Sequence, residues 1–363
     1  MSALKRMRFR GSGSASAERL GLLIVLAIII GVFSVVLPST YPTSINLKIV
    51  LSSQAIFLVL ALAVTLPLRT GEFDLSIGAV AVASATVVAV LTAQHGFALV
   101  PAIIIALAAG AAVGVLNAIV VVGFGVNAFI ATLGSMTLVS GLGLAISQGG
   151  QVIVGLPTSL QNLSGDSLLT LPLRVWYGWG LALVLWYVYQ FTPFGRRMLF
   201  VGGNPVSARL TGIRVRRTKA IGFILSGVIS AAGGVILAGS LSAVDPTTSG
   251  DYLLQPYAAA FLGTTVLQFG RFNSLGTVIG LYLLAAGVSG LELLGVQTWV
   301  NDVFNGGTLI LAVVAATAMR RGILSLAANR ERESRDGPSE PGPTAVTEES
   351  GTNISAAQVA RHS

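Results

Sequence analysis

The chain is a succession of long apolar runs separated by short polar intervals. Leu20–Leu37 is almost wholly apolar, and similar runs follow near 48–68, 75–93, 99–122, 127–147, 175–191, 220–240, 253–268, 275–294 and 303–319. A helix needs about 20 apolar residues to cross a bilayer, so the pattern predicts an all-α, polytopic transmembrane helical bundle of about ten spans, with both termini on one side. The first run is longer than the apolar region of a secretory leader, and no A-x-A site follows it before Pro38. It is therefore predicted to be a retained transmembrane helix. Two runs are less regular. Gly71-Glu72-Phe73-Asp74 stands at the mouth of the third, which fits a broken or re-entrant element as well as a full span. The eighth is interrupted near its end by Gly263, Gln268, Gly270 and Arg271.

These runs divide the chain into a polar leader (1–19), a transmembrane domain (20–321) and a polar tail (322–363). The leader contains a flexible GSGSAS stretch at 11–16. The tail, rich in Arg, Glu, Ser and Pro, cannot bury a core from about residue 330 onward and is expected to be disordered.

Composition agrees with the pattern. Hydrophobic residues make up 53% of 363 and charged residues only 10%, where a soluble domain carries about 25%. The net charge of +8 would suggest nucleic acid in a soluble chain, but here the cations collect in loops beside apolar runs. Sixteen fall on the side predicted to be cytoplasmic, among them Lys5, Arg6, Arg69, Arg271 and Arg320. Only Lys48 and Arg174 fall on the other. Such a bias orients the bundle with its termini in the cytoplasm and gives no reason to expect nucleic acid. There are no cysteines and two histidines, so disulfides and thiolate metal sites are excluded and no metal site is expected.

The most polar interval between the runs is Gly202–Lys219, GGNPVSARLTGIRVRRTK, which holds five cations and no carboxylate. Asn204 can cap a short helix, Pro205 suits its first position and Gly212 its exit. Val206, Leu210 and Ile213 would share one side of that helix and Arg209 another. A loop that merely obeys membrane topology would look basic too; a capped helix also suits docking of a soluble partner.

Chemistry is sparse. There is no G-x-x-x-x-G-K-S/T phosphate cradle, no H-E-x-x-H and no G-x-S-x-G elbow, so no catalytic residues are assigned. Charged residues at depth, the usual mark of ion coupling, are limited to Glu72 and Asp74 at a span mouth and Glu292 near a span end. Uncharged polar residues are better represented: Asn117, Asn127, Thr132, Ser135, Thr137, Ser226 and Ser230. They suit passage of a hydroxyl-rich solute and, equally, ordinary interhelical hydrogen bonds. Gly110 with Gly114, and Gly276 with Gly280, have the four-residue spacing that lets helix backbones approach.

Five stretches, in order, resemble the permease subunits of bacterial ABC importers for simple sugars of the ribose, xylose and galactose type. GEFDLSIGA at 71–79 resembles G-G-I-D-L-S-V-G, with Asp74, Ser76 and Gly78 in register. VGVLNAIVV at 113–121 resembles a G-x-x-N-G helix through Gly114 and Asn117. NAFIATLGSM at 127–136 resembles P-P-F-I-x-T-L-G through Phe129 and Thr132. GGNPVSARLTGI at 202–213 resembles G-x-N-x-x-A-A-x-x-S-G-I through Gly203, Asn204, Ala208 and Gly212, and residues 226–263 follow the family order. Glu72 stands where many relatives have glycine, Ala128 replaces a proline, and 262–276 lacks several family glycines.

The resemblance implies a multi-pass subunit of the bacterial plasma (inner) membrane that works as a homo- or heterodimer. An ABC ATPase subunit would bind ATP and Mg, leaving no cofactor on this chain, and a periplasmic or lipid-anchored solute-binding protein would deliver the sugar. It implies that Gly203, Asn204, Ala208, Arg209 and Gly212 couple to the ATPase and that Asn117, Asn127, Phe129 and Thr132 line the pathway. The same fold family handles nucleosides, a signalling furanose and branched-chain amino acids, so the resemblance leaves the solute open. An ion-coupled secondary transporter of a small polar solute is the alternative from another class.

Overall fold

A computed structural model describes residues 12–152, 157–241, 243–297, 299–314 and 317. The expected tail, 322–363, lies outside the described residues, as does the leader before Ser12. Thirteen helices account for nearly all of the rest: α1 (Ser12–Val36), α2 (Ser44–Arg69), α3 (Ile77–Ala89), α4 (Leu99–Ala118), α5 (Ala128–Ile146), α6 (Thr158–Gly165), α7 (Leu173–Phe191), α8 (Pro193–Gly203), α9 (Pro205–Leu210), α10 (Val215–Ser240), α11 (Leu254–Gly263), α12 (Ser274–Leu293) and α13 (Trp299–Val314). A two-residue hairpin, Ser167–Leu168 with Leu171–Pro172, precedes α7. The chain is thus an all-α bundle, and six of its helices are long and apolar enough to cross a membrane.

Sequence sets where the helices start. Thr43, Asn127, Thr192, Asn204 and Asn273 each accept a hydrogen bond from a backbone N–H in the first turn that follows, supplying a partner to donors a helix start leaves free. Pro193 and Pro205 occupy first-turn positions, where a missing N–H costs nothing. α3 and α4 do not stop at their last α-helical residue. Each runs on through a π-helical turn, Val90–Gln94 and Ile119–Gly123, so the third run is one continuous helix.

The bundle is organised around α2. Leu58, Leu60, Ala61, Leu62, Ala63, Val64 and Leu66 are all fully buried, so this helix is covered on every side, as its unbroken apolar sequence requires. One core cluster joins α2 to α3 and α10; a second joins it to α7, α11 and α12. α4 and α5 are peripheral and expose Ile104, Val115, Ile130, Leu133 and Leu142, apolar residues suited to lipid or to another chain. α4 meets α10 at glycines. A side chain on Gly114 would lie 2.6 Å from the Phe223 carbonyl oxygen, and one on Gly110 2.6 Å from that of Gly227. The four-residue glycine spacing therefore serves packing, as it does at Gly276 and Gly280 against α11.

Two expectations are corrected. α1 begins at Ser12, within the stretch expected to be flexible, because Ala15, Ala17, Glu18 and Arg19 favour helix and extend it from the apolar run. The eighth run does not form a span. α11 has ten residues, about 15 Å at 1.5 Å rise each, half of what a crossing needs. It follows a 3₁₀ turn, Pro246–Gly250, and ends at Gly263, where the backbone turns through Thr264–Asn273.

Candidate functional site

The turn between α2 and α3 carries the densest polar chemistry. Asp74, 1% exposed, accepts at Oδ1 from the Ser76 hydroxyl (2.6 Å) and, more distantly, from the Asn117 amide (3.4 Å). Its Oδ2 accepts from the Ser226 hydroxyl at 2.8 Å. The Asn117 amide also donates to Ser76 Oγ (2.9 Å), and its carbonyl accepts from Ser135 Oγ (2.6 Å). The turn's own backbone is held as well: the Asp74 N–H donates to Tyr257 Oη and the Leu75 N–H to Thr132 Oγ1, both at 3.0 Å. Seven buried side chains thus pin the turn to α4, α5, α10 and α11 at once. Gly78, in the first turn of α3, lets that helix lie on the backbone of Ser249 and Tyr252.

At the same end of the bundle lies the basic loop. Asn204 Oδ1 accepts from the N–H groups of Val206 (3.0 Å) and Ser207 (3.1 Å), and Pro205 opens α9, as its sequence predicts. Gly212 closes it at φ +80, a left-handed conformation that glycine adopts without steric cost, and the Ile213 N–H returns to the Ala208 carbonyl. The expected sidedness is changed. Ala208 is buried with Val201 and Val215, and Ile213 packs on them, while Val206 (68% exposed), Leu210 (84% exposed) and Arg209 point away from the chain. Ala208 seats the helix; its neighbours form the free face. Gly203 ends α8 immediately before the cap.

The residues expected to line a pathway divide into two groups. Asn117 and Thr132 belong to the buried pin around Asp74. Asn127 and Phe129 lie apart from it, exposed at the start of α5, where Asn127 caps the helix through the Phe129 N–H (2.9 Å). Thr137 turns back to the Leu133 carbonyl. The Ala128 position is the first residue of α5, where a proline would fit and no kink would follow.

Two residues of the site carry little sequence signal. Tyr257 lies in an apolar stretch and shows no motif. Arg69 reads as a loop cation but is 5% exposed. Its guanidinium donates to the carbonyls of Gly195 (3.4 Å), Tyr189 (3.5 Å) and Phe272, and stands 4.3 Å over the Tyr189 ring. A cation ending an otherwise apolar helix was the available clue.

Long apolar helices around a buried polar pin, with a stiff cationic loop at one end, are the architecture of a multi-span membrane protein. Residues 46–313 match the family described as branched-chain amino acid transport system / permease component, and the chain belongs to that family. It is similar to the ribose import permease protein of Bacillus subtilis, 34% identical over 312 residues (85% of this chain, 95% of the relative). The ribose import permease protein of Escherichia coli K12 is 32% identical over 295 residues (80% and 91%). The L-arabinose ABC transporter permease protein of Azospirillum brasilense is 30% identical over 314 residues (86% and 91%). No solved structure matches.

Proposed function

We propose that this chain is the membrane pathway subunit of an ATP-driven importer for a monosaccharide or similar polar solute, with ATP and Mg bound by a separate ATPase subunit. The relatives named for ribose and arabinose support the solute class. The observation that carries the mechanism is α9: a helix fixed at both ends by Asn204 and Gly212, with Val206, Arg209 and Leu210 free. A rigid helix with a small apolar and cationic face is suited to insert into a partner's groove and transmit motion. Gly203, Asn204, Ala208 and Gly212 set its geometry; Arg209 with Val206 and Leu210 makes the contact.

In this reading the docking end is cytoplasmic, both termini lie on that side, and the chain sits in a bacterial inner membrane. Solute is delivered at the opposite end by a periplasmic or lipid-anchored binding protein. Asn127 and Phe129 face out of the single chain, so they line a pathway only beside a second permease copy, of the same or a related kind. Asn117 and Thr132 act on the pathway from behind, by holding its wall. Family membership favours this reading over ion coupling. Purification from the native host in mild detergent tests it: a stoichiometric P-loop ATPase should accompany the chain and be lost with Leu210→Asp, an exposed position that leaves the fold intact. A clean chain, under conditions that preserve a known importer, overturns it.

A further inference from the structure

Residues 69–76 are touched at three places by the docking loop and the helix that leads into it. Just upstream of the loop, in α8, the Gly195 carbonyl accepts from the buried Arg69 guanidinium. At its start, the Gly202 backbone lies against the Arg69 carbonyl so closely that a side chain there has no room. At its exit, Lys219 of α10 pairs with Glu72, the only ion pair among the described residues. Two residues beyond Glu72 stands Asp74, the hub of the polar pin. The strip is itself compact: the Glu72 N–H returns to the Pro67 carbonyl at 3.0 Å, and Ser76 folds back on Asp74.

The geometry points to residues 69–76 as the transmission element between the docking loop and the helices that the pin joins, with Glu72 and Lys219 as its positioning residues. The inference rests on the ATP-driven reading above. Arg69 and Gly202 make close contacts with backbone atoms inside the packed end of the bundle. The Glu72–Lys219 pair differs. Its side chains are 18% and 19% exposed, and a pair so placed adds little to fold stability. Its contribution is geometrical: it fixes the start of α10 to the strip, and α10 also brings Ser226 to Asp74. A displacement of α9 then reaches the pin along two routes, the strip and α10, locked in register.

The chain's lack of cysteine allows a clean test. Ser140→Cys places a reporter on α5 just beyond the pin, on the side away from the basic loop, where Ser140 meets Ser249 at 2.9 Å. In the permease–ATPase complex in lipid nanodiscs, ATP with vanadate should change the labelling rate of that cysteine by a fluorescent maleimide. Glu72→Lys or Lys219→Glu should reduce the ATP-dependent change at least tenfold while the ATPase still co-purifies and hydrolyses ATP. The double exchange, Glu72→Lys with Lys219→Glu, should restore at least half of it, a rescue that general damage to the fold does not give. Glu72→Gln, which keeps size and removes charge, should behave as the single reversals do. A full response in the single variants, or a double exchange as silent as they are, overturns the inference. An unsubstituted complex without ATPase or ATP response overturns the underlying reading instead.

Discussion

Asp74 is held by hydroxyls and an amide rather than by a cation. Ser76 gives it both its hydroxyl and its N–H, and Ser226 its hydroxyl, so removing the carboxyl deprives three buried donors of their acceptor, while Asn117 keeps its closer bond to Ser76 Oγ. Each such group costs about 1–3 kcal/mol. Asp74→Ala should therefore lower the thermal midpoint of the detergent-purified chain strongly, whereas Asp74→Asn, which keeps an acceptor, should lower it less. Equal losses would show that the carboxyl is not the hub. Tyr257 belongs to the same arrangement through a hydrogen bond from the Asp74 backbone, which no side-chain pattern announces. Asp74, Ser76 and Asn117 were legible as motif residues, but that they meet was not, because 41 residues of chain separate Ser76 from Asn117. Ala208 was legible as part of a capped helix, yet its inward direction depends on Val201 and Val215, which only the fold brings beside it.

Among the elements, the α4–α10 contact depends on backbone approach. Gly227→Leu would drive a side chain into α4, and overpacking of this kind costs about 1–3 kcal/mol or more. The expected outcome is a lower melting midpoint, which Leu142→Ala on the exposed face of α5 should not reproduce. At the opposite end, the loop after α5 is clasped to the loop after α10 by the backbone bridge Val152–Val244 and by the Gln151 amide on Asp245 (2.7 Å). Hydrogen bonds from the Thr247 hydroxyl and N–H, then from Gln151, hold the Asp245 carboxyl below its ordinary pKa. A lowered pKa means the clasp gains stability from ionised Asp245 at neutral pH and loses it as acid protonates the group, below the usual carboxylate value of about 3.9. Protection of the Val152 and Val244 amides against hydrogen exchange should fall on acidification through that range. Asp245→Asn should show the weaker protection already at pH 7, with little further change in acid.

For the whole molecule, the hydrophobic rhythm carried most of the architecture. Nine of the ten apolar runs coincide with long helices or, at 303–319, with a helix that begins at Trp299. The eighth failed because a run of suitable length contains Gly263 and a turn closed by the Thr264 carbonyl and the Gly270 N–H, and hydropathy alone does not register where a backbone turns back. The basic end with its capped α9 was legible from its charges and caps. What holds that end together was not. Arg69 and Glu72 read as two isolated charges, and their partners come from segments 120 to 203 residues away.

The short α11 also bears on how the chain is made. A ten-residue helix is a poor candidate to partition into lipid on its own as it leaves the ribosome. It carries Gln255, which in the finished bundle bonds Gln54 of α2 at 2.8 Å, and it packs along α12. Its insertion must therefore wait for α12 to be synthesised, so that the two enter as a hairpin against the helices already in place. Nascent chains ending at residue 270 should leave 254–263 open to aqueous thiol reagents at an engineered cysteine, and chains ending at 314 should protect it. Protection in the shorter chains would mean that α2 alone is enough to draw the half-helix in.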